Sequence, residues 1–396
     1  MKKKIIITMT SMFVGGAETS LLGLLDNIDY EKYDVDLFLF RHEGEFMPLI
    51  PEKVNLLPPV WQYGNFDVPI ASLLTPKKLP FAFARLLSKV LAAISRKRQH
   101  KTTSMWTGMQ YNCYCLNPLL PKIEGEYDLA LSFLGTPFYL SKINAKKKLA
   151  WVHTDYSFID FDKKIDKKAF KNIDAIVNVS EDCNNIFKSC FPELAHKCIV
   201  IENTLSKRIV LQRADELSAE KEIDKNSLSV LSIGRFSYQK NFENIPFICR
   251  KVLDKGIDIK WYIVGDGGAR EEIEENKKQS KTENNVILLG KKSNPYPYIA
   301  ACDIYAQPSR YEGKSVAVRE AQMLLKPVII SRYETSAAQL KDGFDGVIAP
   351  MDNDGFAKEL VSLIENKKMQ KEISENEKNT DYSNSNELEK IYSFCE

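Results

Sequence analysis

Two glutamates eight positions apart stand where an apolar run, a polar loop and a helical pattern follow one another. Glu312 lies in the loop and Glu320 lies in the helical pattern. The amides of Gly313, Lys314 and Ser315 open the predicted helix, where unpaired N–H groups and the helix dipole favour a phosphate. An ionised carboxylate accepts hydrogen bonds from two neighbouring hydroxyls. The stretch therefore favours a sugar-nucleotide site, with solvated surface glutamates as the alternative.

The length and charge of the chain predict two domains of ordinary size. At 396 residues the chain suits two domains, each able to bury its own core. Lys and Arg (55) nearly balance Asp and Glu (53), so no overall basic field points to nucleic acid. Eight scattered cysteines without a CxxC pair favour a reducing cytoplasmic compartment. No apolar run reaches the length of about 18 residues that a membrane-spanning helix needs.

The first half of the chain alternates apolar runs with polar or helical segments, which predicts a mostly parallel sheet. A β-rich run at 3–10 leads through Gly15 and Gly16 into a helical pattern, the opening of a Rossmann-like unit. The glycines either let a ligand approach the backbone or form a tight turn without one. His153 ends a later predicted strand, where open α/β sheets bind ligands, and a structural histidine is the alternative.

A DxD pair, Asp34 and Asp36, stands early in the second predicted strand. Two acids at this spacing could bind the metal of a metal diphosphate. Acids near the start of a strand can instead simply face solvent. We therefore expect no metal site here.

Residues 77–101 have the pattern of a basic amphipathic helix. Arg85, Lys89 and Arg96 lie on one face, and the apolar positions follow the i, i+3, i+4 rule on another. We expect the apolar face to dock on the core of its domain. The alternative is a peripheral contact with an anionic membrane, and both can hold at different ends. The apolar positions are Phe83, Leu86, Leu87, Val90, Leu91 and Ile94.

The second half begins with a charged linker and surface helix and then repeats strand, loop and helix at least five times. In its first loop, Arg235 and Lys240 could clamp a diphosphate without a metal, or they are solvated surface cations. We place the domain boundaries at 1–205 and 206–379. A short amphipathic helix at the end, within 380–396, is expected to pack back on the first domain.

Five motifs occur in an order that resembles one family. They are GGAE at 15–18, the strand-end His153, IGRFSYQKN at 233–241, VGDGG at 264–268 and SRYEGKSVAVREA at 309–321. Together, over nearly the whole chain, they are similar to the motifs of retaining glycosyltransferases of family 4, of the kind that builds bacterial surface polysaccharides. The resemblance implies an α/β fold of the GT-B type, with two Rossmann-like doubly wound domains facing across a cleft.

The resemblance also implies roles for the candidate residues. Arg235 and Lys240 match the pair that neutralises the donor diphosphate. Glu320 matches the glutamate that holds the ribose hydroxyls, and Glu312 its partner near the transferred sugar. His153 matches the histidine beside the sugar and the acceptor.

Backbone contacts with the donor are implied as well. Gly15 and Gly16 would bring the loop of the first domain to the phosphates, and the amides after Glu312 would form a cradle. The sequence there is Gly-Lys-Ser, where many members of the family have Gly-Phe-Gly. Lys314 is therefore expected to add a contact with phosphate or sugar.

The implied activity is retaining, metal-independent transfer of a hexose from a nucleotide diphosphate sugar, with UDP expected, to a glycan acceptor. The acceptor is expected to be lipid-linked, and the protein to be cytoplasmic or peripheral at the inner face of the cell membrane. No cofactor is expected besides this co-substrate. The alternatives are a sugar-nucleotide epimerase or hydrolase, a metal-dependent transferase using Asp34 and Asp36, and a non-catalytic protein that binds nucleotide sugars.

Overall fold

The computed structural model describes residues 2–98, 105–133, 136–154, 156–157, 159–216, 222–224, 226–312 and 314–396. The chain divides into two compact units, which are described separately. Unit 1 comprises Met1–Leu205 with Asn384–Glu396, and unit 2 comprises Ser206–Ser383.

The segment that returns to unit 1 starts at Asn384 and not at 380 as expected. The Tyr382 hydroxyl donates a hydrogen bond to Asp345 Oδ2 at 3.0 Å, inside unit 2. This contact explains why the residues up to Ser383 stay with the second unit.

Unit 1 is built on a seven-stranded sheet. Its elements run in the order β1 (Lys3–Met9), α1 (Gly16–Asn27), β2 (Tyr33–Leu39), β3 (Asn55–Leu56), α2 (Leu79–Arg98), α3 (Met105–Leu116), β4 (Ile123–Ser132), β5 (Ile143–Val152), α4 (Lys163–Phe170), β6 (Ala175–Asn178), α5 (Glu181–Cys190) and β7 (Cys198–Val200). The strands pair in parallel in the order β3-β2-β1-β4-β5-β6-β7. The order reverses between β1 and β4, so the loops after these two strands lie side by side.

The core of unit 1 is rich in aromatic rings. Phe40, just past β2, packs on Tyr63 and Tyr139 with ring centroids 5.3 and 4.9 Å apart. Phe38 meets the Tyr63 ring edge-on at 4.9 Å. These side chains are buried, and together they fix the loops after β2 and β4 on the sheet.

Helix α2 buries the face opposite to the expected one. Its apolar residues Phe83, Leu86, Leu87, Val90 and Ile94 are 43–68% exposed. The buried positions are Phe81, Ala82, Arg85, Ser88, Ala92 and Ser95. The expectation that the apolar face docks on the core is therefore wrong. Neither α2 nor any other helix within the described residues is long and apolar enough to cross a bilayer.

The buried face of α2 is held by hydrogen bonds. Arg85 Nη1 donates to the carbonyl oxygens of Asn65 and Val68 at 3.0 and 2.8 Å. At the other end of the helix, Ser95 Oγ donates to the Asp162 carboxylate. Burial lowers the pKa of Arg85. Arg85 is thus a buried structural cation and does not belong to an exposed basic face.

Unit 2 is built on a six-stranded sheet. Its elements run in the order α6 (Lys207–Ala214), β8 (Leu228–Ile233), α7 (Ile245–Leu253), β9 (Ile259–Val264), α8 (Arg270–Ser280), β10 (Val286–Gly290), α9 (Tyr296–Ala301), β11 (Ile304–Gln307), α10 (Val316–Met323), β12 (Val328–Ser331), α11 (Ser336–Gln339), β13 (Val347–Ala349), α12 (Asn353–Glu365) and α13 (Lys367–Lys378). The strands pair in parallel in the order β10-β9-β8-β11-β12-β13. Both sheets match the expected Rossmann-like α/β architecture.

The chain returns to unit 1 with α14 (Leu388–Tyr392). The Tyr392 ring stacks on Tyr33 at 4.3 Å, and its hydroxyl accepts a hydrogen bond from the Asp29 amide at 3.0 Å. Glu387 Oε2 accepts from the Glu202 amide at 2.9 Å. The last residues are therefore part of the packed structure of unit 1.

Candidate functional site

The candidate site of unit 2 lies where its strand order reverses, between β8 and β11. Loops that leave the carboxyl ends of such strands form the ligand crevice of open α/β sheets. Here the two loops are joined to each other: Asn241 Nδ2 donates to the Pro308 carbonyl at 2.9 Å, and the Arg310 amide donates to the Gln239 carbonyl at 2.8 Å. These two hydrogen bonds, one from a side chain and one from the backbone, therefore connect the two loops of the site.

Lys240 and Glu312, which come from these two loops, form an ion pair. Lys240 Nζ lies 2.6 Å from Glu312 Oε1, and the two side chains are 16% and 6% exposed. Gln239 Nε2 donates to the other carboxylate oxygen at 3.1 Å, and Ser309 Oγ donates to Oε1 at 2.6 Å. The structure thus brings together two residues that the sequence analysis treated separately.

Two arginines of these loops differ in their surroundings. Arg310 is satisfied, because Nη1 lies 2.5 Å from Glu243 Oε1 and donates to the Tyr238 carbonyl at 2.6 Å. Arg235 is exposed and makes no ion pair with the described residues. Of these two arginines, Arg235 is therefore the one whose guanidinium N–H groups are free to bind an anion.

Glycines of the loop after β9 support the loop that carries Arg235. Gly265 has a φ of +148°, and a Cβ at this position would lie 1.9 Å from the Gly234 carbonyl oxygen. Gly267 has a φ of +154°, and its Cβ would lie 2.5 Å from the Phe236 carbonyl oxygen. Both positions therefore require glycine, for backbone conformation and for space.

A chain of buried hydrogen bonds ends on Glu312, and the sequence analysis did not identify it. The Tyr305 hydroxyl donates to Gln307 Oε1 at 2.8 Å, and Gln307 Nε2 donates to Ser309 Oγ at 2.9 Å. Ser309 then donates to Glu312. Tyr305, Gln307 and Ser309 are fully buried. The sequence feature that could have indicated this chain of hydrogen bonds is Gln307, a glutamine at the end of a strand that is otherwise apolar.

At the start of α10, one of the three amides expected to form a phosphate cradle already has a partner. The Ser315 amide already donates to Gln339 Oε1 at 2.6 Å, and the Ser315 carbonyl accepts from Gln339 Nε2 at 3.3 Å. The Ser315 amide is therefore engaged in this structure, and α10 begins at Val316. Lys314 is exposed. Gly313 lies outside the described residues.

Glu320 is buried on the inner face of α10, where the Tyr296 hydroxyl donates to its Oε1 at 2.8 Å. Burial raises the pKa of Glu320 to about 7, while the Tyr296 hydrogen bond and the Arg213 charge act in the opposite direction. The Arg213 guanidinium lies 5.5 Å from the Tyr296 ring centroid. The residues that surround Glu320 are therefore different from those that contact Glu312.

In unit 1, His153 directly follows the carboxyl end of β5. Its ring lies 4.9 Å from the Phe133 ring, and Nε2 is buried without a hydrogen-bond partner among the described residues. Burial lowers the pKa of His153 to about 4, and a hydrogen bond with the Phe133 backbone acts in the opposite direction. His153 is therefore neutral near pH 7.

Gly15 and Gly16 lie where the chain enters α1, and Gly15 is the N-cap residue. The Gly15 carbonyl accepts from the Thr19 amide at 3.0 Å. The three atoms nearest to a Cβ on Gly15 would all belong to the Glu18 side chain, and a Cβ on Gly16 would meet no atom within 4 Å. Packing therefore gives no reason for glycine at position 16, and the contact of this loop with a ligand stays a prediction.

Asp34 and Asp36 have different surroundings. Asp36 accepts hydrogen bonds from Asn55 Nδ2 at 2.7 Å and from the Tyr127 hydroxyl at 2.8 Å, whereas the side chain of Asp34 is 62% exposed. Alternate residues along β2 point to the same face, but only Asp36 has buried partners. No cluster of three or more His, Cys, Asp or Glu suited to a metal occurs among the described residues.

A cavity of about 180 Å³ lies in unit 1, beside the switch between β1 and β4. Thr10, after β1, and Thr136, after β4, contribute to its wall, as does the ion pair of Arg41 with Asp67. No single stretch of the sequence indicates this cavity, because its lining comes from five separate segments. Its aromatic lining consists of Phe40, Tyr63, Phe66 and Tyr139.

Comparison with known proteins adds family information. Residues 213–380 match the family model described as glycosyl transferases group 1. The putative glycosyltransferase EpsF of Bacillus subtilis is 32% identical over 342 residues, which are 83% of this chain and 79% of that protein. A Campylobacter jejuni protein is 29% identical over 177 residues, and its name is N-acetylgalactosamine-N,N'-diacetylbacillosaminyl-diphospho-undecaprenol 4-alpha-N-acetylgalactosaminyltransferase. That alignment spans 44% of this chain and 46% of the Campylobacter protein. The chain aligns with about half the length of several such relatives, 43–56%.

Solved structures share the fold across the whole chain. A mutant of Staphylococcus aureus TarM, in complex with fondaparinux, alpha-GlcNAc-glycerol and UDP, superimposes with a TM-score of 0.62. The superposition covers 99% of both chains at 16% identity. At this identity the likeness concerns the fold, which is the GT-B fold.

Proposed function

The chain belongs to the group 1 glycosyl transferases, and on this premise we propose that it transfers a hexose from a nucleotide diphosphate sugar to a glycan acceptor. We infer UDP as the nucleotide and retention of the anomeric configuration. Side-chain cations, in place of a divalent metal, would neutralise the diphosphate. Unit 2 would bind the donor, and unit 1 would contribute the acceptor side.

The observation that carries the proposal is the ion pair of Lys240 with Glu312 at the carboxyl edge of the sheet. The ammonium group of Lys240 has three N–H donors. One of them binds Glu312, so the other two can bind phosphate oxygens. An ionised carboxylate has about four acceptor positions. On Glu312, three of these acceptor positions are occupied by Gln239, Ser309 and Lys240. The fourth position is left for a sugar hydroxyl.

The proposed reaction breaks the bond between the anomeric carbon and the diphosphate oxygen. Negative charge develops on the departing diphosphate, where Lys240, Arg235 and the amino end of α10 would stabilise it. The oxygen of the acceptor hydroxyl forms its bond to the anomeric carbon on the same face of the sugar. The hydroxyl proton passes to the leaving phosphate oxygen, so charge and atoms balance.

Two further residues have proposed positions relative to the substrates. The buried Glu320 carboxylate would accept hydrogen bonds from the ribose hydroxyls, held in orientation by Tyr296. Neutral His153 would offer its unpaired Nε2 to a sugar hydroxyl. A neutral imidazole nitrogen can either donate or accept, depending on its tautomer.

We further propose that the acceptor is linked to a lipid diphosphate. The name of the Campylobacter relative, which includes diphospho-undecaprenol, supports this proposal, although the alignment spans only part of that protein. The cavity lined by aromatic rings in unit 1 is a suitable place for part of the acceptor, since sugar faces and lipid chains both pack on such rings. Synthesis of a cell-surface polysaccharide would be the biological setting.

The proposal is tested by saturation-transfer NMR with UDP-, GDP- and dTDP-sugars, followed by product analysis with a lipid diphosphate-linked saccharide. We expect one UDP-sugar to bind, and Arg235→Ala and Glu320→Ala to abolish binding. Lys251→Ala is the matched control, because Lys251 is a surface cation of unit 2 paired with Asp354. The anomeric coupling constant of the product reports retention.

Each other outcome removes a defined part of the proposal. Failure of every nucleotide sugar to bind would overturn it entirely. Free sugar or an epimer formed equally well without acceptor would identify a hydrolase or an epimerase. Product of inverted configuration would remove the retaining mechanism, and binding without any product would indicate a non-catalytic protein.

A further inference from the structure

Helix α2 carries an unpartnered apolar stripe, defined here as Leu79, Phe83, Leu86, Leu87, Val90 and Ile94. All six side chains are among the exposed large hydrophobic residues of the chain. At about 100° per residue they fall within an arc of roughly 100°, and they extend over about 22 Å of helix. A continuous exposed stripe of this size on a single helix is a feature of interaction surfaces, whereas single exposed hydrophobic residues are ordinary.

The stripe is a stable feature of the helix, because the opposite face is fixed. Arg85 is held by the carbonyl oxygens of Asn65 and Val68, and Ser95 by the carboxylate of Asp162. Rotating α2 to bury the stripe would break these hydrogen bonds and leave buried polar groups without partners. The apolar face is therefore directed outward by the packing of unit 1 itself.

The charge around the stripe has one sign. Between Lys77 and Arg98 the chain has seven Lys or Arg and no Asp or Glu, although the net charge of the whole chain is only +2. On the helix, Lys89 and Arg98 lie on the two sides of the stripe, and Lys97 lies at its end. With Arg85 buried, the other cations of this segment form a basic border around an apolar surface.

We propose that α2 binds the surface of an anionic membrane, with the stripe in the headgroup and acyl boundary and the cations on the lipid phosphates. Amphipathic helices with a basic polar border bind membranes in this way, through buried apolar area together with attraction to anionic lipids. A second copy of this chain is disfavoured as occupant, since a symmetric interface would place the same cations against each other. The stripe belongs to unit 1 and the candidate donor site to unit 2, and the inference does not depend on the transfer reaction.

Flotation tests the proposal directly, using the full chain with vesicles of phosphatidylcholine alone and vesicles containing an equal part of phosphatidylglycerol. We expect flotation with the anionic vesicles and much weaker flotation with the neutral ones. The double variant Leu86→Gln/Leu87→Gln should weaken binding at least about tenfold. Lys89→Gln/Lys97→Gln should weaken binding to anionic vesicles by about fivefold or more per cation and leave neutral vesicles unaffected.

Two controls make the result specific to α2. Lys358→Gln/Lys371→Gln removes two exposed cations of unit 2, and this variant should float like the wild type. All four substituted residues of α2 are exposed, so folding should be retained. Unchanged binding of the UDP-sugar by each variant verifies that unit 2 is folded. An unchanged circular dichroism spectrum verifies that the whole chain is folded.

Several outcomes would overturn the proposal. These are absence of flotation, equal flotation with both kinds of vesicle, or binding that is unaffected by both double variants. Sedimentation that shows an oligomer dissociating in Leu86→Gln/Leu87→Gln would identify the stripe as a self-association surface. Because flotation needs no nucleotide sugar, a failure here leaves the proposed transfer reaction standing, and a failure of transfer leaves membrane binding standing.

Discussion

Lys240 and Glu312 are 72 positions apart in the chain, yet they form the best-defined contact of the candidate site. The carboxylate orients the ammonium group, and the ammonium group compensates a carboxylate that is almost completely buried. Removal of either partner therefore affects the other as well as the ligand. This coupling distinguishes the pair from the exposed Arg235, whose role depends on the ligand alone.

For Lys240→Met, we expect kcat/KM to fall by roughly 10²- to 10³-fold, because a donor to the developing diphosphate charge is lost. The same change leaves Glu312 without its cation, so the free energy of unfolding should also fall. Steady-state kinetics and urea denaturation measure the two effects. Lys251→Met, at an exposed ion pair, should change neither by a comparable amount. Wild-type kinetics in Lys240→Met would contradict the assignment.

The affinity for the UDP-sugar should depend on pH through Glu320, whose pKa burial raises to about 7. The carboxyl is mainly protonated below this pH and mainly ionised above it. Since the ionised form accepts from two hydroxyls, we expect affinity to rise roughly three- to tenfold between about pH 6 and pH 8. Isothermal titration calorimetry over this range measures the effect.

The matched control for this pH effect is Glu320→Gln, whose side chain at position 320 does not titrate. This variant should bind the UDP-sugar weakly, and its affinity should not change with pH. His153 does not contribute in this window, because burial lowers its pKa to about 4. A sugar diphosphate diester lacks the second ionisation, near about pH 6, of a phosphate monoester. If the affinity of Glu320→Gln still rises with pH, another group titrates in this range.

At the scale of residues, the sequence predicted which side chains belong to the loops but not which of them meet. Lys240 and Glu312 were identified from local patterns, and their pairing depends on two strands that are adjacent only in the folded sheet. The engagement of the Ser315 amide by Gln339 has the same origin, since Gln339 follows after a further strand and helix. Contacts of this kind leave no local signal.

Among the elements of unit 2, the loop after β9 has the strictest steric requirement. Gly265→Ala should destabilise the protein by about 2 kcal/mol or more, because the new Cβ meets the Gly234 carbonyl and φ is positive. The shift of Gly234 also displaces Arg235, so the affinity for the UDP-sugar should fall. Thermal unfolding and calorimetry measure the two quantities.

Gly268→Ala, in the same turn, is the control for Gly265→Ala. A Cβ at Gly268 would meet no atom within 4 Å, so stability and affinity should be close to those of the wild type. Equal effects of the two substitutions would show that the close approach of Gly265 to Gly234 is unimportant.

The hydrogen-bond chain at the end of β11 is expected to position Glu312. Gln307→Leu removes the partner of the Tyr305 hydroxyl and releases Ser309, so we expect kcat to fall more than KM rises. Stability should fall by about 1–3 kcal/mol, since the buried Tyr305 hydroxyl loses the acceptor of its hydrogen bond. Kinetics of the purified variant together with urea denaturation separate the two consequences.

The double variant Tyr305→Phe/Gln307→Leu distinguishes positioning from simple stabilisation. Replacing both partners with apolar groups should recover most of the lost stability, because no unpaired group is left between them. The rate should stay low, since Ser309 still lacks its orienting partner. Recovery of kcat along with stability would show that the chain has only a structural role.

Regular elements were largely predictable, whereas the orientation of α2 was not. Buried parallel strands such as β9 and β12 have continuous apolar runs, which are conspicuous in any sequence. The periodicity of α2 correctly showed which residues share a face. Which face is covered depends on carbonyl groups of the preceding segment, at Asn65 and Val68, and periodicity contains no information about them.

Over the whole molecule, we expect activity without a divalent metal. The Asp34 side chain faces solvent, while Asp36 is occupied by Asn55 and Tyr127, so this pair is poorly suited to a metal diphosphate. Transfer activity should therefore survive excess EDTA, and Asp34→Asn should retain wild-type kinetics. Loss of activity in EDTA, with recovery on adding Mg²⁺ or Mn²⁺, would refute metal independence.

Because unit 1 includes Asn384–Glu396, it cannot be completed until the ribosome has made the 178 residues of Ser206–Ser383. At roughly 5–20 residues per second, this takes about 10 to 35 s. During that interval the nascent chain exposes the surface around Tyr33 and Asp29 that α14 later covers. The unit synthesised first is thus the one whose folding finishes last.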